Sequence, residues 1–126
     1  MNRAPWRVLV ADDDPTAALL SRAALAGDDF LPTIVDRGDL ALSAFQRESF
    51  DIALLDVEMP GLDGFEVCAA IRQSHGPAFP VVLVSGRSDP DFLVRALSLS
   101  AEVIVKPVNW ASLAERLRSL LRTSGA

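Results

Sequence analysis

The chemistry available to this chain rests on Asp12, Asp13, Asp56, Ser85 and Lys106, each at or just past the end of a short apolar run. Val8-Leu9-Val10-Ala11 precedes Asp12-Asp13, Ile52-Ala53-Leu54-Leu55 precedes Asp56, Val81-Val82-Leu83-Val84 precedes Ser85, and Val103-Ile104-Val105 precedes Lys106. Turn-making or capping explains any one of these polar residues. It does not explain why every strong apolar run ends in one. If the runs are parallel strands, their carboxyl ends share one edge, where open α/β sheets bind ligands. Two carboxylates a few ångströms apart repel by about 4 kcal/mol at an effective dielectric of about 20. Three of them call for a protonated carboxyl, a neighbouring ammonium or a bound divalent cation. Lys106 supplies one positive charge, and an oxygen-rich acidic pocket suits Mg²⁺, with Mn²⁺ as a substitute. Such a site is ready for a phosphoryl group. An Asp carboxylate can act as the nucleophile, and the Ser85 hydroxyl and Lys106 ammonium can hold the transferred oxygens.

The elements that position these groups follow from the residue pattern. Short apolar runs bounded by turn-formers read as strands buried on both faces, and Met59-Pro60-Gly61 with Asp63-Gly64 marks the loop after Asp56. Asp14 as N-cap and Pro15 in the first turn begin a helix to about Ala26, with Leu19, Leu20, Ala23 and Ala24 assigned to its inner face and Gly27-Asp28-Asp29 ending it. Thr33-Ile34-Val35 is a weaker strand, and Asp39 to Arg47 a helix with Leu42 and Phe45 inward. Phe65, Val67, Cys68 and Ile71 give the spacing of a third helix. Asp89-Pro90 opens a fourth that runs to Ser98, and Asn109 caps a fifth through Leu113, Leu117, Leu120 and Leu121. Five strands alternating with five helices predict an α/β domain with a parallel sheet covered on both faces.

The bulk properties narrow the function classes. At 126 residues, half of them hydrophobic, the chain suits a single domain with its own core. A net charge of -5 without a basic run argues against direct nucleic-acid binding. No apolar segment approaches the roughly 20 residues of a membrane span, and Met1 to Pro5 is not followed by a signal-peptide core, so a cytoplasmic protein with no membrane partner is expected. The lone Cys68 agrees with a reducing compartment.

Asp12-Asp13, LLDVEMPGLDG around Asp56, VVLVSG around Ser85 and Lys106-Pro107 occur in that order between about Arg7 and Leu121. Together they resemble the receiver domain of two-component response regulators. The resemblance implies a CheY-like, flavodoxin-like (βα)5 fold, a doubly wound five-stranded parallel sheet in a three-layer sandwich with strand order 2-1-3-4-5. It implies a single receiver domain over 1-126, with a core of about 7-121 and a frayed tail or the start of a linker at 122-126. By the same resemblance Asp56 is the phosphoacceptor, charged by a sensor histidine kinase or a phosphotransfer protein. Asp13, Asp56 and the backbone carbonyl of Glu58 bind Mg²⁺, and Asp12 assists through the metal's water shell. Ser85 is the switch hydroxyl, Lys106 the ion partner of the phosphoryl group, and the bond before Pro107 is cis. The module assists its own phosphorylation and dephosphorylation without being a turnover enzyme, and signals through helix 4, strand 5 and helix 5.

Departures from the family pattern set further expectations. Receivers commonly carry Tyr or Phe at the switch position occupied here by Val103, and Ser100-Ala101 stands where Gly-Ala is usual. In receivers the places of Glu58 and Arg87 flank the path of the attacking water, so the resemblance implies that the two either form an ion pair that gates it, as modulators of phosphoryl lifetime, or are two solvated charges. Pro90-Ser98 is apolar around more than one stripe, so either part of it and Trp110-Leu121 meet a second copy or an output domain, or the helix is locally covered. The Asn109-Trp110 start and Leu/Arg-rich end of the last helix resemble receivers fused to diguanylate cyclase or phosphodiesterase modules. Two other classes stay open: a phosphorylation-independent adaptor, and a Mg²⁺-dependent phosphatase of the haloacid-dehalogenase type, which needs a second Asp where this chain has Glu58. His75 reads as an exposed turn residue, Cys68 as a core side chain, Trp6 as packing on the sheet edge and Trp110 as the better candidate for a contact surface.

Overall fold

The protein is described from a computed structural model that covers residues 4–27 and 29–123. Its elements alternate as β1 (Trp6–Ala11), α1 (Pro15–Ala24), β2 (Phe30–Val35), α2 (Gly38–Arg47), β3 (Ile52–Asp56), α3 (Gly64–His75), β4 (Val81–Ser85), α4 (Pro90–Ser98), β5 (Glu102–Val105) and α5 (Trp110–Thr123). The strands form one parallel sheet in the expected order β2-β1-β3-β4-β5. Every residue of β3 and β4 is buried, as continuous apolar runs require when helices cover both faces. Alternation along the strands divides the core in two. Leu9, Leu55 and Leu83 pack with Phe45, Phe65, Ile71 and Phe92 from α2, α3 and α4. Val8, Val10, Ile52 and Val82 pack with Leu25 and with Leu113, Leu117 and Leu121 of α5.

Both edge strands are protected. β2 starts at Phe30, earlier than the Thr33 run suggested, and it carries Pro32, which an edge strand tolerates. β5 has only four residues, and Arg116 donates to the Val103 carbonyl at 3.3 Å. Short length and a charged cover both discourage pairing with another chain.

Helix α1 docks through a different stripe from the one expected. Leu19 and Leu20 are 66% and 38% exposed and Ala23 is also outside, whereas Ser21 and Leu25 are buried with Ala17, Ala18 and Ala24 half-buried. Small side chains let the helix approach its neighbours closely, and Ala17, Ser21 and Leu25 share one face at four-residue spacing. The helix ends at Leu25, whose N–H bonds the Ser21 carbonyl at 3.0 Å; Asp28 lies outside the described residues. In α2 the buried residues are Gly38, Ala41, Ala44 and Phe45, with Leu42 only half-buried. Helix α5 continues through Arg122, which pairs with Glu115 at 2.8 Å, to Thr123; residues 124–126 lie outside the described residues. Among the described residues no helix is long and apolar enough to cross a membrane.

Candidate functional site

Parallel register sets the chemical groups side by side. Asp56 lies opposite Val84 and Ser85 opposite Val105, and the Lys106 N–H donates to the Ser85 carbonyl at 2.8 Å. One carboxylate oxygen from each of Asp12, Asp13 and Asp56 fits within a group whose members all lie within 4.8 Å of one another. Asp56, Asp12 and Ser85 are buried, and Asp13 is exposed. Asp56 Oδ1 accepts the Glu58 N–H at 3.2 Å, and Oδ2 accepts from Lys106 Nζ at 3.2 Å. Asp12 Oδ1 accepts the Asp14 N–H at 2.9 Å, while Asp14 caps α1 through the Thr16 N–H at 3.0 Å. The peptide bond between Lys106 and Pro107 is cis, as the resemblance implied.

The charges respond to this crowding. Desolvation, with the Asp56 charge adding to it, lifts the Asp12 carboxyl from 3.8 to about 6 against the opposing Asp14 hydrogen bond. For Lys106, burial pulls downward, but the Asp56 hydrogen bond and the nearby Asp56 and Asp12 charges leave it raised. One ammonium therefore does not neutralise the pocket, and the three carboxylates together with Lys106 leave negative charge to be met.

Two close backbone approaches hold the loop that follows Asp56. A Cβ on Gly64 would sit 2.6 Å from the Asp56 carbonyl oxygen and 2.8 Å from Val57 Cα, and the Gly64 N–H donates to Val57 O at 2.9 Å. Helix α3 can start this close to the backbone of Asp56 only because position 64 lacks a side chain. Gly38 is tighter still against the Leu62 carbonyl, and its N–H donates to Pro60 O at 3.2 Å. Asp63 completes a capping box with Glu66, so the loop is pinned from both ends.

Glu58 and Arg87 do not form the ion pair that was one of the two alternatives. Arg87 instead makes a bidentate pair with Asp89, 2.8 Å from each nitrogen to its oxygen, and Glu58 Oε1 accepts the Ser85 hydroxyl at 3.3 Å. Asp89 is two residues away along a short loop, so the guanidinium reaches it without crossing the site mouth. In the sequence Asp89 announces only the start of α4, and nothing there marks it as the partner of Arg87. Ser21 carries no sequence signal of its place beside the site. It is buried in α1 and lines a small cavity with Asp12 and Asp56, a placement that its hydroxyl among alanines and leucines did not announce.

The remaining expectations sort by burial. Val103 is half-buried and packs on the core of the α3 and α4 face, and Ser100 adopts φ 54°, the left-handed geometry that Gly would take without strain. Helix α4 turns Phe92 and Ala96 inward and leaves Leu93, Val94 and Leu97 exposed. The leucines at 113, 117 and 121 of α5 are core, so they offer no contact surface, whereas Trp110 borders an open groove of about 220 Å³ with Thr16, Leu20 and Lys106. His75 ends α3 with its ring 4.8 Å from Phe45, Cys68 is buried, and Trp6 packs from β1, an inner strand, against the α1 and α5 core.

Comparison with known proteins agrees with this geometry. A family model described as response regulator receiver domain matches residues 8–118. The chain is 33% identical over 121 residues to the transcriptional activator protein IrlR of Burkholderia pseudomallei, covering 95% of this chain and 52% of that protein. It is 37% identical over 119 residues to the transcriptional regulatory protein CseB of Streptomyces coelicolor, covering 94% and 50%. The chain thus spans about half the length of the curated relatives it matches. The solved structure of Vibrio cholerae chemotaxis protein CheY4 superposes with a TM-score of 0.84 at 27% identity, covering 93% of this chain and 99% of that one. With the family model spanning β1 to α5, the chain belongs to the response regulator receiver domains of two-component signalling.

Proposed function

We propose that Asp56 is the residue that takes the phosphoryl group, from a sensor histidine kinase or phosphotransfer protein. The observation that carries this reading is the environment of its carboxylate: 3% exposed, bonded by Lys106 Nζ and the Glu58 N–H, and beside the hydroxyl-bearing end of β4. A carboxylate oxygen attacks phosphorus, the bond to the donor breaks, and the donor leaves with that electron pair. Lys106 then meets the negative oxygens of the aspartyl phosphate, and Ser85 Oγ turns from Glu58 to donate to one of them.

The donor set fits a hard divalent cation, because all its candidate ligands are oxygens and the negative charge exceeds what Lys106 can balance. Asp13, Asp56 and the Glu58 carbonyl would hold Mg²⁺, with Asp12 acting through its water shell and Mn²⁺ as a substitute. When bound, the ion neutralises charge on the transferring phosphoryl oxygens.

The phosphatase reading gains no support, since the residue two past Asp56 is Glu58 and its carboxylate is engaged by Ser85. The unusual Val103 keeps a phosphorylation-independent adaptor as the second reading. In our reading the module is a cytoplasmic switch, consumed by its reaction rather than turning over, in a single domain that hands its signal to an output module or a second copy. Intact mass after incubation with acetyl phosphate and Mg²⁺ tests the assignment. Wild type should gain one phosphoryl group and Asp56→Asn none; an unmodified wild type would favour the adaptor.

A further inference from the structure

We propose that the Arg87–Asp89 pair is a clamp that transmits the position of the Ser85 hydroxyl to the first turn of α4, and that α4 pivots on a C-terminal end held by Arg72. The proposal rests on Asp56 as the phosphoacceptor. Ser85 Oγ accepts the Arg87 N–H at 3.1 Å while donating to Glu58 Oε1 at 3.3 Å. Turning toward a phosphoryl group breaks the Glu58 bond and changes the acceptor that Arg87 sees, so Arg87 is the first residue displaced.

The Arg87 side chain is committed to α4. Its Nε and one terminal nitrogen each donate to a different oxygen of Asp89 at 2.8 Å, and its Cζ lies 5.4 Å from the Phe92 ring centroid. Asp89 is also the N-cap of α4, accepting the Phe92 N–H at 3.3 Å through the same Oδ2 that binds Arg87. Movement of Arg87 therefore pulls on the cap. An exposed ion pair contributes little energy by itself, but a bidentate one with a shared carboxylate transmits geometry. The Arg87 hydrogen bonds also hold Asp89 at about 2, so the clamp stays charged at neutral pH. Between the two ends, Gly86 is unpacked: a Cβ there would meet nothing within 4 Å.

The other end of α4 is fixed. Arg72 of α3 donates to the Leu99, Gly76, Phe79 and Ser100 carbonyls at 2.6, 2.9, 2.6 and 3.0 Å, which ties the turn after α4 to α3 and to the entry of β4. A helix whose N-terminal cap follows Arg87 and whose C-terminal turn is bonded by Arg72 swings about the latter. Phe92 rests edge-on against Phe65 of α3, with ring centroids 5.3 Å apart, so one aromatic pair seats the first turn of α4 on α3. This route needs no aromatic at position 103, where the half-buried Val103 packs against the core.

Hydrogen–deuterium exchange with and without beryllofluoride and Mg²⁺, the former acting as a phosphoryl mimic, tests the route alongside the acetyl phosphate mass assay. In wild type the exchange of residues 86–95 should change and that of 97–101 should not. Arg87→Gln, and Asp89→Asn, which keeps the capping oxygen, should still take up the phosphoryl group yet lose the α4 response. Val103→Ala should keep it, and Arg72→Lys should let it spread into 97–101. Retention of the α4 response in Arg87→Gln or Asp89→Asn, its loss in Val103→Ala, or confinement in Arg72→Lys would overturn the proposal. A wild type that gains no phosphoryl mass would instead remove the phosphoacceptor reading on which it stands.

Discussion

Lys106 Nζ lies 3.2 Å from Asp56 Oδ2, joining residues fifty positions apart in the chain at the centre of the acidic pocket. Asp56 is buried, so this ammonium is the main positive charge it meets among the described residues. Lys106→Met should lower stability in metal-free buffer by about 1 kcal/mol, a figure reduced by the partial exposure of the ammonium. It should slow labelling by acetyl phosphate by about 10²-fold, the usual scale for removing one preorganised donor. Urea melts and timed mass spectra read the two effects separately, and unchanged labelling would exclude a role for Lys106 in the transfer.

Asp12 gives the protein an inverted pH response. Its folded-state carboxyl titrates at about 6, above the unfolded 3.8, so between those values the folded state binds the extra proton. Without metal, stability should therefore fall as pH rises from about 4 to 6, by on the order of 2 kcal/mol, and recover as pH is lowered. Mg²⁺ should flatten this slope by replacing the proton. Chemical melts in EDTA and in Mg²⁺ check it, and a slope absent from Asp12→Asn would identify the group responsible.

Gly64 is a steric requirement of the site. In Gly64→Ala the added Cβ meets the backbone of Asp56 and Val57 below 3 Å, so α3 must retreat or β3 must bend. A loss of about 1–3 kcal/mol is expected from this overpacking, with slower phosphorylation because the carboxylate of Asp56 moves. Full activity together with full stability would mean that the loop yields without cost.

Glu58 and Arg87 should show little direct side-chain coupling on phosphoryl lifetime, because the carboxylate bonds Ser85 and the guanidinium bonds Asp89, and the two residues meet only through the Ser85 hydroxyl and the Arg87 backbone N–H. The dephosphorylation rates of Glu58→Ala, Arg87→Ala and the double variant should combine as a product, with a coupling energy within about 0.5 kcal/mol of zero. A larger coupling would restore the gate that these contacts replace.

Much of this protein was decided by its sequence alone. The apolar runs ending at Asp12, Asp56, Ser85 and Lys106 specify strands, class and the edge at which the chemistry gathers, because period and turn chemistry are local properties. The helix starts at Pro15 and Pro90 were legible for the same reason. Only the tertiary structure decided which stripe of α1 faces inward, where Ser21 and Leu25 displace Leu19 and Leu20, since close approach rewards small side chains as well as apolar ones. It also chose the partners of the charges. Arg87 had both Glu58 and Asp89 within its sequence neighbourhood or across the site, and the packed loop brings Asp89 to 2.8 Å while Ser85 takes Glu58. Charged side chains are long and their forces act over several ångströms, so their pairing is settled by where the backbone places them.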